Sequence, residues 1–161
     1  RFLFLLPLPS DVFSCRPDIT LVADSERIRA HRFVLAARSA WFRSQLSSGW
    51  RGDAAEVHIA VMSARCLHLV LEFLYTGRIP SSVDSVLVLQ ALRVSSSLLK
   101  LNRLTQLCER ALVPTVGVHN VCQMWNVAME CEAENLKRFC EYVMVSLRVL
   151  VSLLRIQRRP A

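Results

Sequence analysis

The sequence predicts an α+β fold in which a small three-stranded sheet is capped by a cluster of α-helices and followed by an α-helical hairpin. Apolar residues alternate at a strand-like period only in residues 18–31 and 56–61. In the other patterned segments they recur every three or four residues, as amphipathic helices require. Hydrophobic residues make up 53% of the 161 residues, enough to form a packed core.

The three strands are predicted in the first part of the chain. "DITLVAD" (18–24) alternates and is rich in β-branched residues, "DSE" is a tight turn, and "RIRAH" (27–31) returns as the second strand of a hairpin. "EVHIAV" (56–61) is the third strand. Between the hairpin and this strand we expect two short helices, one starting at Phe33 and one after Ser39, then a loop at "SSGWRGD".

A largely buried helix follows, since "SARCLHLVLEFLY" has apolar residues on one face at helical spacing and more on the opposite face. Ser63 suits its N-cap, and Gly77 is expected to end it as a structural C′ glycine. Two further helices are predicted at "SVDSVLVLQALRVSSSLL" and "LNRLTQLCERAL", and Pro114 breaks the helical pattern after the second.

Two more helical segments beyond Pro114 predict an antiparallel hairpin, with the acidic "ECEAEN" as its turn. The expected organisation has four parts: an apolar N-terminal segment, a main domain, the helical hairpin and a basic C-terminal tail (1–16, 17–113, 114–146 and 147–161). Because residue 1 is Arg, we expect a fragment or a processed chain.

Motifs for catalysis and metal binding are absent. The four glycines form no phosphate-binding loop, and neither GxSxG nor HExxH occurs. His58, Cys66 and His68 lie close in sequence, but the last two would point about 200° apart on a helix, unlike zinc ligands. We therefore predict no enzyme, no metal, no cofactor and no small-molecule substrate.

His31 and Ser39 could suggest a base and a nucleophile, but a catalytic pair must lie within hydrogen-bonding reach. Ser39 lies about two helical turns away, where serine is a natural helix cap. We predict two structural residues: His31 as a buried imidazole bonded to the backbone, and Ser39 as a cap.

The net charge of +7 is concentrated at the ends of the chain, since five arginines lie outside residues 10–145, where the net charge is only +2. Without a basic stripe, nucleic-acid binding by the domain is not expected. Six cysteines without a CxxC pair fit reduced thiols in a cytoplasmic or nuclear protein. The apolar stretches at residues 2–8 and 142–156 are too short, and are broken by proline or arginine, so no membrane span is expected.

Three ordered motifs carry a family resemblance. "PDITLVADSERIRAHRFVLAARSAWFRSQL" resembles the start of a BTB/POZ domain, "VLEFLYTGRIP" its apolar helix ending in Tyr-Thr-Gly, and "LLKLNRLTQLCERAL" its closing helix. Residues 115–145 are similar to the opening hairpin of a BACK domain.

The resemblance implies a protein-interaction module, commonly homodimeric, that recruits a cullin-3-type scaffold for ubiquitination. It implies a charged pair near the dimer groove, Asp18 and Arg32, and a cullin-facing surface that includes Phe42, Val61, Met62, Ser63 and Arg65. Strong cullin binders carry an apolar-x-Glu signature in the loop before the buried helix, whereas Arg65 reverses the charge here. The alternative is a dimerisation or corepressor-recruiting module of a transcriptional regulator or scaffold protein.

Overall fold

The structure, a computed structural model, describes residues 16–48, 56–80 and 82–157. Strand β1 (Ile19–Ala23) lies at the centre of a three-stranded sheet with the order β2-β1-β3. It pairs antiparallel with β2 (Glu26–Ala30) and parallel with β3 (Glu56–His58). The predicted three-stranded sheet and its hairpin are confirmed.

Asp24 and Ser25 form the hairpin turn, both in the left-handed region with φ of 47° and 69°. Such angles are tolerated best by glycine and by short polar residues that bond locally. Alternation along β1 would place Val22 on the face opposite the core, yet Val22 is only 8% exposed. The simple alternation fails here because a central strand can be covered on both faces.

Strand β3 is shorter than the six residues expected. After His58, the Ile59 amide donates one more hydrogen bond to the Val22 carbonyl at 2.8 Å, and the chain then turns toward the next helix. The apolar Ile59 is buried without belonging to the strand. Apolar alternation alone therefore overestimated the length of the strand.

The predicted helical pair is formed by α1 (Arg32–Arg38) and α2 (Ala40–Ser48), which meet at Ser39. The loop expected at residues 47–53 lies mostly outside the described residues. Helix α3 (Ala64–Thr76) is buried on most of its surface, as its two apolar faces predicted.

Helices α4 (Ser85–Ser97) and α5 (Asn102–Leu112) pack side by side, and a 3₁₀ turn (Val113–Thr115) containing Pro114 follows. The hairpin consists of α6 (Val121–Glu130) and α7 (Glu134–Gln157). Helix α7 passes residue 146, where a separate tail was expected to begin. Within the described part of the chain, no helix is both long and apolar enough to cross a bilayer.

The hairpin shares its core with the preceding helices. Leu112 of α5, Met124 of α6 and Leu136 of α7 all belong to one buried apolar cluster. The carboxylate of Glu109, 3% exposed, accepts a hydrogen bond from the Leu136 amide at 2.9 Å. Because this amide lies in the first turn of α7, Glu109 supplies the acceptor that the helix end lacks.

Candidate functional site

Asp18 and Arg32, the predicted charged pair, lie side by side. The Asp18 Oδ1 accepts a hydrogen bond from the Arg32 backbone amide at 2.8 Å. Arg32 is the first residue of α1, and His31, at the N-cap position, makes no side-chain capping bond. Asp18, just before β1, therefore caps α1. The predicted charged pair did not include this structural role.

His31 is 7% exposed and joins the sheet to α3. The Tyr75 hydroxyl lies 2.9 Å from the His31 Nδ1 and also accepts the His31 backbone N–H at 2.9 Å. The Tyr75 side chain is thus a partner of the imidazole that the sequence did not predict. Burial raises the pKa of Tyr75, so its hydroxyl stays protonated and can donate to the imidazole.

Ser39 is fully enclosed, with 1% exposure, at the junction of α1 and α2. Its amide donates to the Leu35 carbonyl at 3.0 Å, and its hydroxyl oxygen lies 3.5 Å from the Phe42 amide, the third residue of α2. This is the position of an N-cap acceptor, with a long bond.

The surface before α3 contains Val61, Ser63 and Arg65, which we name the α3 entry surface. Val61 is 55% exposed and Arg65 is exposed, while Ser63 is half-buried. Phe42 is 0% exposed and Met62 is 8% exposed. Phe42 was predicted to flank a partner surface, but it lies in the core, so its side chain supports α2 and is not available to a partner.

Two hydrogen-bonded neighbours hold the α3 entry surface in place. Asp24 Oδ2, from the hairpin turn, accepts the Ala64 amide at 2.8 Å. Ser63 caps α3 by accepting the Cys66 amide at 3.3 Å, and its hydroxyl donates to Gln90 of α4 at 3.2 Å. An open cavity of about 630 Å³ lies between this segment and α4. The result is a fixed, partly apolar edge beside a groove.

The buried cysteines are poor nucleophiles. Burial raises the pKa of Cys66 to about 11, and burial together with the nearby Cys66 raises that of Cys108 to about 12. A thiol is reactive only as the thiolate, which these values suppress at neutral pH. Among residues 16–48, 56–80 and 82–157, no cluster of three or more metal-ligating side chains occurs. His68 instead lies 2.8 Å from Glu26.

Gly77 ends α3 with a φ of 72°, and its amide donates to the Phe73 carbonyl at 2.7 Å. This left-handed position explains why a glycine stands here. Arg38, which the sequence did not single out, donates from Nε to the Leu74 carbonyl at 2.9 Å. A cation at the last carbonyls of a helix is favourable, and the periodicity of α1 gave no signal for this contact.

Known proteins match this chain in sequence and in fold. The BTB/POZ domain family matches residues 12–115. The chain is 31% identical over 132 residues to human leucine-zipper-like transcriptional regulator 1, covering 80% of this chain and 16% of that protein. It is 33% identical over 122 residues to human Kelch-like protein 34, covering 75% of this chain and 18% of that protein. The BTB domain of zebrafish PATZ1 superposes with a TM-score of 0.50 and 25% identity, covering 60% of this chain and 75% of that domain. The chain thus spans less than a fifth of these two human relatives.

Proposed function

The chain belongs to the BTB/POZ domain family, a protein-interaction fold, and from this we propose that it serves as the cullin-binding part of a substrate adaptor for a cullin-3-type ubiquitin ligase. Similarity to human Kelch-like protein 34 supports this role. Substrates would be bound by parts of the protein outside this chain. The compartment we propose is the cytoplasm, the nucleus or both.

The observation that carries the proposal is the α3 entry surface. The apolar side chain of Val61 is 55% exposed beside the open cavity. The segment that follows it is held in place by two hydrogen bonds, from the Ala64 amide to Asp24 and from the Ser63 hydroxyl to Gln90. An exposed apolar anchor on a rigid segment loses little conformational freedom on binding. Burying such a side chain at an interface removes apolar surface from water, which favours binding.

The hairpin of α6 and α7 supports the same role. We propose that residues 114–146 begin a BACK-like region, which would position a substrate-binding part relative to the cullin. The shared core and the Glu109–Leu136 bond make this hairpin a rigid extension of the domain. A rigid connection is what an adaptor needs to present a substrate at a fixed distance.

Calorimetric titration with the N-terminal domain of cullin-3 tests the proposal. We expect saturable binding of the wild-type chain, and a loss of about tenfold or more in the Val61→Asp variant, because a charge would be buried at the interface. Val118→Asp is the matched control, since Val118 is 70% exposed and lies in the loop before α6. Absence of binding at tens of micromolar, or equal losses in both variants, would refute the proposal.

The second candidate is a dimerisation or corepressor-recruiting module. The similarity to leucine-zipper-like transcriptional regulator 1, named as a transcriptional regulator, favours it. Sedimentation equilibrium separates the two candidates when it is combined with the cullin titration. A chain that dimerises without binding the cullin domain fits this second role, and a chain that binds the cullin domain fits the first.

A further inference from the structure

A cleft at the C-terminal end of α3 gathers four basic side chains from four separate segments. Arg38 comes from α1, Arg78 from the loop after Gly77, and Lys100 and Arg103 from either side of the start of α5. They line an open cavity of about 580 Å³, which we name the α3–α5 cleft. No acidic residue in the described part of the chain lines it.

The basic groups of the cleft have charge to offer a ligand. None of the four forms an ion pair with any residue that the structure describes. Toward the described residues, Arg38 donates from its Nε alone, to the Leu74 carbonyl, which leaves its two terminal nitrogens as donors. Four cations around one concavity, none of them in an ion pair with a described residue, focus a positive potential at its centre. Guanidinium groups also pair with carboxylates through two parallel hydrogen bonds.

The N-terminal end of α5 and the C-terminal end of α3 meet in the cleft. The N-terminal end, which is the positive end of a helix dipole, is the more available to a ligand. At the start of α5, the amides of Asn102, Arg103 and Leu104 make no hydrogen bond to the described residues, and the first turn contains no acidic residue. At the end of α3, the carbonyls of Phe73 and Leu74 already accept bonds from Gly77 and Arg38. The backbone therefore adds to the positive field of the side chains.

The shape and lining of the cleft favour a peptide over a nucleic acid. Leu101 is half-buried and contributes apolar surface to the cleft, which suits an aliphatic side chain of a ligand. Phe73 is the only aromatic residue among the lining residues and is 8% exposed, so no ring is available to stack on bases. The cations also surround one concavity and do not extend as a stripe along a phosphate backbone.

We propose that the α3–α5 cleft docks an acidic segment of a partner protein, in which aspartate or glutamate side chains flank an apolar residue. The cleft lies at the opposite end of α3 from the α3 entry surface, and a helix of 13 residues separates them by about 20 Å. Both surfaces can therefore be occupied at once. The acidic turn residues Glu130, Glu132 and Glu134 line an adjoining cavity together with Lys100. They disfavour an acidic segment on that side, so it enters from the side of Arg78.

The probe is a fluorescein-labelled peptide of glutamates interrupted by leucines, titrated with the full chain and followed by fluorescence anisotropy. A peptide with glutamine in place of every glutamate is the matched ligand control. The double variant Arg78→Gln/Arg103→Gln should weaken binding of the glutamate peptide by about fivefold, as expected for two lost charge pairs at exposed positions. Binding should also weaken as salt is raised.

The double variant Arg29→Gln/Arg110→Gln removes the same charge from two exposed arginines outside the cleft and should leave binding within about twofold. Thermal melts by circular dichroism show that each variant is folded. The proposal is overturned if the glutamate peptide fails to bind at millimolar concentration, if the glutamine peptide binds equally well, or if both double variants lose binding equally. It is also overturned if labelled oligo(dT) binds as tightly through the same two arginines. Because no cullin is present, these results do not depend on the proposed ligase role.

Discussion

Replacing Tyr75 by Phe removes one oxygen atom and two hydrogen bonds that join α3 to the sheet. The hydroxyl accepts the His31 amide and contacts the His31 Nδ1, each at 2.9 Å. Depriving a buried N–H of its acceptor costs about 1–3 kcal/mol, and loss of the second bond adds about 1 kcal/mol. We therefore expect Tyr75→Phe to lower the free energy of unfolding by about 2–4 kcal/mol.

Urea unfolding followed by circular dichroism measures this loss, and a double-mutant cycle with His31→Ala separates the two bonds. His31→Ala keeps the backbone amide, so Tyr75→Phe should still cost about 1–3 kcal/mol in that background. The coupling between the two substitutions should be about 1 kcal/mol, the contribution of the bond to Nδ1. A loss below about 0.5 kcal/mol in Tyr75→Phe would refute the claim that this hydroxyl holds the junction together.

The raised pKa of Tyr75 gives the same variant a pH signature. The folded pKa lies above the unfolded value of about 10, so the stabilisation is complete below pH 10 and is lost as pH rises through the folded pKa. The wild type should lose this contribution in alkali and the Phe variant should not. The stability difference between them should therefore shrink above about pH 10, and a constant difference would contradict the assigned burial of the hydroxyl.

Three further substitutions test other parts of the structure. Asp18→Ala should cost about 1 kcal/mol in urea unfolding, because the Arg32 amide loses its cap, and Asp18→Asn should recover part of it. Glu109→Ala should cost about 2–3 kcal/mol because the Leu136 amide loses its buried acceptor, and Glu109→Gln should cost less than half as much. Arg65→Glu should raise stability by about 0.5 kcal/mol, since the first turn of α3 contains no acidic residue. The same change should tighten cullin-3 binding about fivefold in a calorimetric titration.

Local patterns predicted most of the elements and their order. The alternation in β1, the two apolar faces of α3 and the glycine at position 77 correspond to strand, helix and helix end as found. These features depend on neighbours within one or two turns of the chain. Their physical cause is therefore contained in the local sequence.

Contacts between distant residues were not predictable in this way. The bond from His31 to Tyr75 spans 44 positions, and the bond from Ala64 to Asp24 spans 40. Phe42 was placed on the cullin-facing surface because the family resemblance implied it, but α2 packs that side chain inward. The α3–α5 cleft was missed because its four cations are distributed from residue 38 to residue 103 and no periodicity connects them.

Hydrogen exchange of the chain, with and without the N-terminal domain of cullin-3, tests the central proposal most directly. Binding through the α3 entry surface should slow exchange of the amides from Ala60 to Arg65. The amides of Gly77, Arg78 and Asn102, in the α3–α5 cleft, should exchange at unchanged rates. Protection confined to the hairpin of α6 and α7, or no protection at saturating cullin domain, would contradict the assignment of this chain as a cullin-3 adaptor through that surface.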